Sequence, residues 1–461
     1  MSFLSIESAV LLLATVIATR VLGRRALPGA VLLASSMFYV ASAPGGVAWL
    51  ALSILLAFAV GARLTTASQR ISIWLLSLTI LVILGALVFV KLPGHDFTAP
   101  LGISYFTFRL VAYLLDVYWG RCEPARSLTE FAAFVSFFPQ VTSGPIDRWG
   151  HFLGQLDRYE YPSYEQMSSA LRLILFGLFK KLVVANRLGG LVDPVLDSPG
   201  DFSAPFLVAA AYAFPIQLYA DFSGLTDIAR GASRLLGIEA PRNFDRPFLA
   251  SSVQEFWTRW HMSLTFWLRD YLFKPLSATL RRQGRIGLAV AIGVNMLAIG
   301  LWHGLQWTFL AFGVINAIYM VAGAMRRRPR ALQVAVARLG LRRWGNILLT
   351  FNLMTFAFVF FRAADLSAAL EVLRGFPALF HLGLHSSQTV APALGVTPRG
   401  VVAPVAVMAF VEFGVARGYW DRWFMRTRVG AVARWVAYYA VVLAIVFGGI
   451  FDNTKFIYAR F

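Results

Sequence analysis

A chain of 461 residues that is 58% hydrophobic and only 14% charged, with 39 phenylalanines and 13 tryptophans, lies outside the range of soluble globular domains and reads as an integral membrane protein. The formal net charge of +19 would suggest nucleic acid in a soluble protein, but here the basic residues sit between apolar runs. Anionic lipid at the cytoplasmic face is therefore the expected partner, with no role for nucleic acid.

The first apolar segment, near residues 3–19, lacks a basic start and a small-residue cleavage site, so it is expected to be a retained span rather than a signal peptide. Further spans are expected near 28–40, 46–61, 72–90, 101–119, 168–185, 205–220, 287–301, 305–323, 346–362, 400–417 and 432–449. The measure is the roughly 20 helical residues that cross about 30 Å of hydrocarbon. A transmembrane barrel would instead need many short alternating strands. Several of these segments are short or contain Gly and Pro, and are expected to be broken, tilted or re-entrant where protein or water satisfies the backbone. Placing Arg20, Arg24 and Arg25 in the cytoplasm puts SAPGG (42–46) outside and returns Arg63, Arg70, Arg121 and Arg126 inside; RRRPR (326–330) is a later basic cluster. The pattern blurs after Lys180 and Lys181, and 221–285 is a long mixed stretch. VSFFPQVTSGPIDRW (135–149) is expected to be a helix that enters the interface, breaks at Pro139 and Gly144, and leaves.

In QLYADFSGLTDIARG (217–231), Asp221, Ser223, Thr226 and Asp227 follow an apolar run, so DFSG reads as a helix break with caps. EFWTRWHMSLTFWLRDYLFKPL (255–276), read as one helix, sets Glu255 and Arg259, Trp257 and His261, and His261 and Thr265 four apart; Arg269 and Asp270 follow. An interfacial amphipathic helix with aromatic anchors accounts for most of this stretch, though not for His261. In NMLAIGLWHGLQWTFLAFG (295–313), His303 is the one acidic, basic or imidazole side chain between Ile286 and Met325. Polar groups in such runs are costly and line cavities or pathways, while the bland alternative is a packed histidine bonding across a bundle. Gly300 and Gly304 permit close backbone approach or a local break. Imidazole, with an unperturbed pKa of about 6.5, suits general-base work on a hydroxyl. Asn295, Asn316, Gln306, Gln217, Asp221, Asp227 and Glu255 are candidates to orient it or to form a polar path, and spacing does not choose among them. Two histidines with scattered carboxylates show no metal-ligand spacing, and the single cysteine, Cys122, excludes an intrachain disulfide or a cysteine-rich metal site. Phosphate-loop, dinucleotide and serine-hydrolase signatures are absent from the sequence.

LGISYFTFRLVAYLLDVY (101–118), SFFPQVTSGPIDRW (136–149), IQLYADFSGLTDIARG (216–231), RNFDRPFLASSVQEFWTRWHMSLTFWLRDYLFKPL (242–276), GLWHGLQWTFLAFG (300–313), FVFFRAADLSAALEVL (358–373) and GGIFDNTKFIYARF (448–461) together resemble the ordered motifs of the membrane-bound O-acyltransferase family. The resemblance implies a single membrane-embedded domain over 1–461, all-α and polytopic, with about eleven transmembrane helices and re-entrant segments. It implies acyl transfer from a thioester donor to a hydroxyl, with His303 as the catalytic histidine and His261 as the second functional one. Asp221, Ser223, Asp227, Glu255, Arg259, Asn295, Gln306, Arg148 and Arg269 are the candidates for substrate binding or structural support. The implied donor is a phosphopantetheinyl acyl-carrier protein or acyl-CoA on the cytoplasmic side, with no tightly bound cofactor and no metal. The implied acceptor is a hydroxylated envelope polymer or a downstream extracytoplasmic acyltransferase, and the location is a bacterial plasma (inner) membrane. SGPIDRW and RWHMSLTFWLRD resemble the D-alanyl-transfer branch that acts on teichoic acids. FIYARF and FFRAADLSAAL resemble the alginate O-acetyltransferase branch, from whose phenylalanine-glutamine-phenylalanine ending Ala459 and Arg460 depart. The motifs place the D-alanyl branch slightly ahead. A transporter or flippase is the rival class but lacks an evident inverted repeat; a structural component of a polymer-secretion complex is the third reading, from the interfacial aromatics.

Overall fold

The computed structural model describes residues 3–92, 100–325, 340–378, 398–416 and 428–451; RRRPR at 326–330 and FIYARF at the end of the chain lie outside them. Among the described residues the regular structure is entirely helical. Seven stretches are long and apolar enough to cross a membrane: Pro44–Leu64, Gln69–Lys91, Ala204–Leu235, Met262–His303, Trp307–Met325, Arg342–Arg362 and Gly430–Gly448. Large apolar side chains such as Trp74, Leu81, Phe410 and Phe447 are widely exposed, as lipid-facing positions require. The protein is an all-α, multi-pass membrane protein.

The chain divides into two compact units, each assembled from three separate segments. The first comprises Met1–Ile174, Thr226–Asn243 and Ser263–Leu272. It opens with α1 (Ile6–Leu22), α2 (Leu27–Ser42), α3 (Val47–Leu64), α4 (Gln69–Lys91) and α5 (Ile103–Tyr118). Segments 3–19, 28–40 and 101–119 fall on α1, α2 and α5, which have 17, 16 and 16 residues and fall just short of the seven. α5 packs against α3 and α4, and Leu110, Tyr113 and Leu114 on it are fully buried.

Arg109 on α5 is also buried, and its bonds explain the next turn of the chain. After α6 (Leu128–Ser136) the chain breaks at Phe137 and resumes as α7 (Phe138–Val141). Arg109 donates to the carbonyls of Phe134 at 2.8 Å, Val135 at 3.3 Å and Pro145 at 3.4 Å, and to Gln140 Oε1 at 2.8 Å. The last carbonyls of α6, which have no partner within the helix, are thereby satisfied. The expected break at Pro139 lies two residues earlier, because proline is accommodated in the first turn of α7, where its missing N–H costs nothing. After an irregular stretch through Gly144, α8 (Trp149–Asp157) and α9 (Tyr164–Leu178) follow.

The second unit comprises Leu175–Leu225, Phe244–Met262 and Phe273–Phe461. The expected span at 168–185 is instead the end of α9 running into a π-helical segment, Phe179–Ala185, with Lys180 and Lys181 both buried, and then α10 (Asn186–Asp197). α11 (Ala204–Leu235) belongs to this unit up to Leu225 and to the first from Thr226. The expected break at DFSG does not occur: the helix runs through it. Asp221, fully buried, pairs with Lys181 rather than capping a terminus. Gly224 lets the helix approach α9, since a Cβ there would meet the Gly177 carbonyl oxygen at 2.8 Å.

The expected helix over 255–276 is likewise divided, into α12 (Val253–Arg259), α13 (Met262–Leu268), a π-helical turn at Arg269–Phe273 and α14 (Lys274–Thr279). The cause is His261, whose φ of 41° is left-handed and cannot continue a right-handed helix. α15 (Gly284–His303) and α16 (Trp307–Met325) pack along each other, followed by α17 (Gly340–Arg362), α18 (Leu366–Ala378), α19 (Pro398–Ala416) and α20 (Arg428–Gly448).

Candidate active site

α15 is apolar from Ile286, but for Asn295, until it stops at His303. Gly300 makes its close pairing with α16 feasible, because a Cβ there would collide with the Phe309 carbonyl oxygen. Gly304 is extended, and the chain turns through Leu305 and Gln306 into α16. His303 thus sits at a helix end rather than in mid-span, and is 5% exposed. Its ring is enclosed by other rings: Phe361 edge-on at 4.7 Å between centroids, Trp302 at 4.7 Å and Phe309 at 6.0 Å.

The second histidine belongs to the same unit. His261 is 1% exposed, with Phe222 edge-on at 4.7 Å and Trp302 at 5.7 Å. Trp302 is therefore a ring neighbour of both histidines, which the sequence places 42 positions apart. A left-handed residue other than glycine costs about 1–3 kcal/mol and persists where its surroundings hold it, which marks this turn as a candidate for function.

The segment before His261 is fixed by capping. Ser252 caps α12 by accepting from the Glu255 N–H at 3.1 Å, and Glu255 reaches back to the Ser251 N–H at 2.7 Å and its hydroxyl at 2.8 Å. Arg259, one turn on, donates to Glu255 at 2.6 Å. Burial pushes the Glu255 carboxyl up, but the Ser251 bonds and Arg259 outweigh it and leave it below the usual carboxylate range. Glu255 and Arg259 hold the helix entry together. Asn316 on α16 accepts from the Trp257 indole at 3.1 Å and ties α12 to α16.

The remaining candidates separate. Asp221 is ion-paired with Lys181. Ser223, next to Phe222, is buried with a hydroxyl that finds no hydrogen-bond partner among the described residues, and the same holds for Asn295 Oδ1 on α15. Gln306 is exposed in the turn after His303. Asp227, Arg148 and Arg269 belong to the first unit. There Asp227 lies 3.7 Å from Arg230, Arg269 is 3.0 Å from Asp270, and the Arg148 guanidinium lies over the Tyr271 ring at 4.6 Å. Among the described residues no group of three or more His, Cys, Asp or Glu could hold a metal ion.

Sequence reasoning did not single out Phe222, Trp302 or Phe361, the aromatic neighbours of the two histidines. Each lay within a quoted motif, but aromatic side chains are so common in this chain that type alone carries no signal. The chemistry available is a pair of buried imidazoles within an apolar, aromatic enclosure, suited to moving a proton away from bulk water.

The model of the membrane-bound O-acyltransferase family matches residues 125–364, which include both histidines and all the candidate site residues. The chain belongs to this family. Among its relatives, the teichoic acid D-alanyltransferase of Streptococcus thermophilus is 33% identical over 322 residues, covering 64% of this chain and 77% of that protein. A probable alginate O-acetylase of Pseudomonas syringae pv. tomato is 32% identical over 330 residues, covering 70% of this chain and 60% of that one. The peptidoglycan O-acetyltransferase of Helicobacter pylori is 32% identical over 313 residues, covering 61% and 57%. This O-acyltransferase-family chain thus spans less than two thirds of the alginate and peptidoglycan relatives it matches. As a member of the family it is related to enzymes of both D-alanyl and acetyl transfer, and its multi-pass architecture and bacterial relatives describe a bacterial membrane protein.

Proposed function

We propose that the protein is an O-acyltransferase that moves a small acyl group, D-alanyl or acetyl, from a thioester donor to a hydroxyl of a cell-envelope polymer or exopolysaccharide. The observation that carries this reading is the placement of both His303 and His261 beside the Trp302 ring, both buried, in a chain of this family. The acceptor hydroxyl attacks the thioester carbonyl while His303 takes its proton; collapse of the tetrahedral intermediate breaks the carbon–sulfur bond, and the proton goes to the departing thiolate. Products are the oxygen ester and the free thiol. His261 and nearby polar groups, Ser223 and Asn295 among them, position the reactants and stabilise the oxyanion. The aromatic enclosure keeps water from hydrolysing the thioester. Direct attack is favoured over an acyl-enzyme, since burial, with Asp116 nearby, pushes the Cys122 thiol up to about 12 and away from the nucleophilic thiolate.

In this reading the donor is an acyl-carrier protein bearing phosphopantetheine, or acyl-CoA, on the cytoplasmic side of the plasma (inner) membrane. The acceptor is the polymer itself or an extracytoplasmic acyltransferase that passes the group on. The interleaving of three chain segments in each unit supports one functional domain over 1–461. The short broken helices α6 and α7 support re-entrant segments within a fold of about eleven membrane helices. SGPIDRW and RWHMSLTFWLRD rank D-alanyl ahead of acetyl as the transferred group. The test is to supply the purified protein with D-alanyl-carrier and acetyl-CoA donors in turn and to weigh the acceptor by mass spectrometry. A gain of one acyl mass on the acceptor is expected; passage of an unmodified substrate across proteoliposomes would point to a transporter instead.

A further inference from the structure

We propose that Asn243 is a positioning residue for His261, capping α13 from outside that helix so that a histidine can occupy the residue before it; the proposal rests on the acyl-transfer reading above. The position preceding a helix normally carries Ser, Thr, Asp or Asn, whose oxygen accepts the N–H two residues on. For α13 that position is His261 and the N–H is that of Ser263. Asn243 Oδ1 accepts this N–H at 3.1 Å and the Ser263 hydroxyl at 2.8 Å. A backbone N–H can only donate, so the orientation of the Asn243 amide is settled, with Nδ2 toward Thr226 Oγ1 at 3.5 Å. Asn243 is fully buried, so water cannot replace it as the acceptor.

The same loop holds the other side of the turn. The Asp245 N–H donates to the Arg259 carbonyl at 2.9 Å, two residues before His261, as Asn243 receives Ser263 two residues after it. The chain at 243–245 therefore runs antiparallel to 259–263 and brackets the histidine, which is how a left-handed φ of 41° is sustained in a non-glycine residue. With the capping oxygen supplied from Asn243, residue 261 is released from that task and carries an imidazole against Phe222 and Trp302.

Asn243→Leu removes the acceptor at nearly constant volume, while Asn243→Asp keeps it. Each variant is treated with diethyl pyrocarbonate, and modification of His261 is measured by peptide mass spectrometry against the half-exposed His151 as an internal reference. kcat and donor KM are measured alongside. Asn243→Leu is expected to open His261 to modification and lower kcat by about 100-fold, the cost of a misplaced catalytic group, with donor KM within about twofold. Asn243→Asp is expected to keep His261 protected and to restore most of kcat. Wild-type protection in Asn243→Leu, or equal losses in both variants, overturns the proposal. Where Asn243→Leu is not recovered as folded protein, Asn243→Ala removes the acceptor with a smaller side chain, and wild-type protection there overturns it equally. The labelling needs no turnover, so a protein inactive with every donor, which would sink the acyl-transfer reading, still leaves the role of Asn243 in the turn decided.

Discussion

At Phe137 the chain leaves α6 with its last carbonyls bound by one buried guanidinium; at His303 it leaves α15 with an imidazole set among aromatic rings. Both are helix ends inside a protein that has little water to offer the backbone. At the first, Arg109 spends its donors on four acceptors and is committed to structure. At the second, Phe361, Phe309 and Trp302 surround the ring. A charged group bonded to the carbonyls of a helix break stabilises that break, whereas a buried imidazole among aromatic rings is a candidate for proton transfer.

The comparison is broken most severely at Arg109. Arg109→Met leaves the Phe134 and Val135 carbonyls and Gln140 without their donor, and is expected to lower stability by about 3–5 kcal/mol, read as lost monodisperse protein and a lower Tm. Wild-type yield and Tm in this variant would show that the guanidinium is dispensable to the break. The buried Lys181 and Asp221 pair sharpens the same point. Lys181→Met alone strands a buried carboxylate and is expected to cost about 3 kcal/mol, while Lys181→Met with Asp221→Leu recovers most of it. A double variant as unstable as the single would mean that the charges do more than compensate each other, and would return Asp221 to the list of working residues.

The smallest effect is at Glu255, which caps α12 from a partly exposed position. Its folded carboxyl lies below the ordinary value of 4.5, so its contribution is present in full above that pH and is lost as pH falls through the depressed value. Glu255→Gln is expected to cost less than about 1 kcal/mol near neutral pH and to abolish that acid-side loss. An unchanged acid limb of the Tm–pH curve in the variant would assign the loss to other carboxylates.

Much of this was legible in the sequence. Apolar runs located the helices, and the lone imidazole between Ile286 and Met325 drew attention to His303 because burial of such a group is costly wherever it falls. Local patterns failed where a distant residue decided the outcome. DFSG carries the residue types of a helix break, yet α11 continues because Lys181, 40 positions earlier, takes up the Asp221 carboxylate. Residues 255–276 carry helical spacing, yet the helix divides at His261 because Asn243 and Asp245, far upstream, hold both flanks of the turn. The partners of His303 were hidden for a different reason: Phe361 is one of 39 phenylalanines, and only the fold selects it.

The central claim is that His303 takes the proton of the acceptor hydroxyl, and His303→Ala compared with wild type in proteoliposomes supplied with donor and acceptor measures it most directly. The variant is expected to insert, to keep a Tm close to wild type and to lose acyl transfer by about 100- to 10,000-fold. Equal acylation of the acceptor by wild type and a well-folded His303→Ala would contradict it.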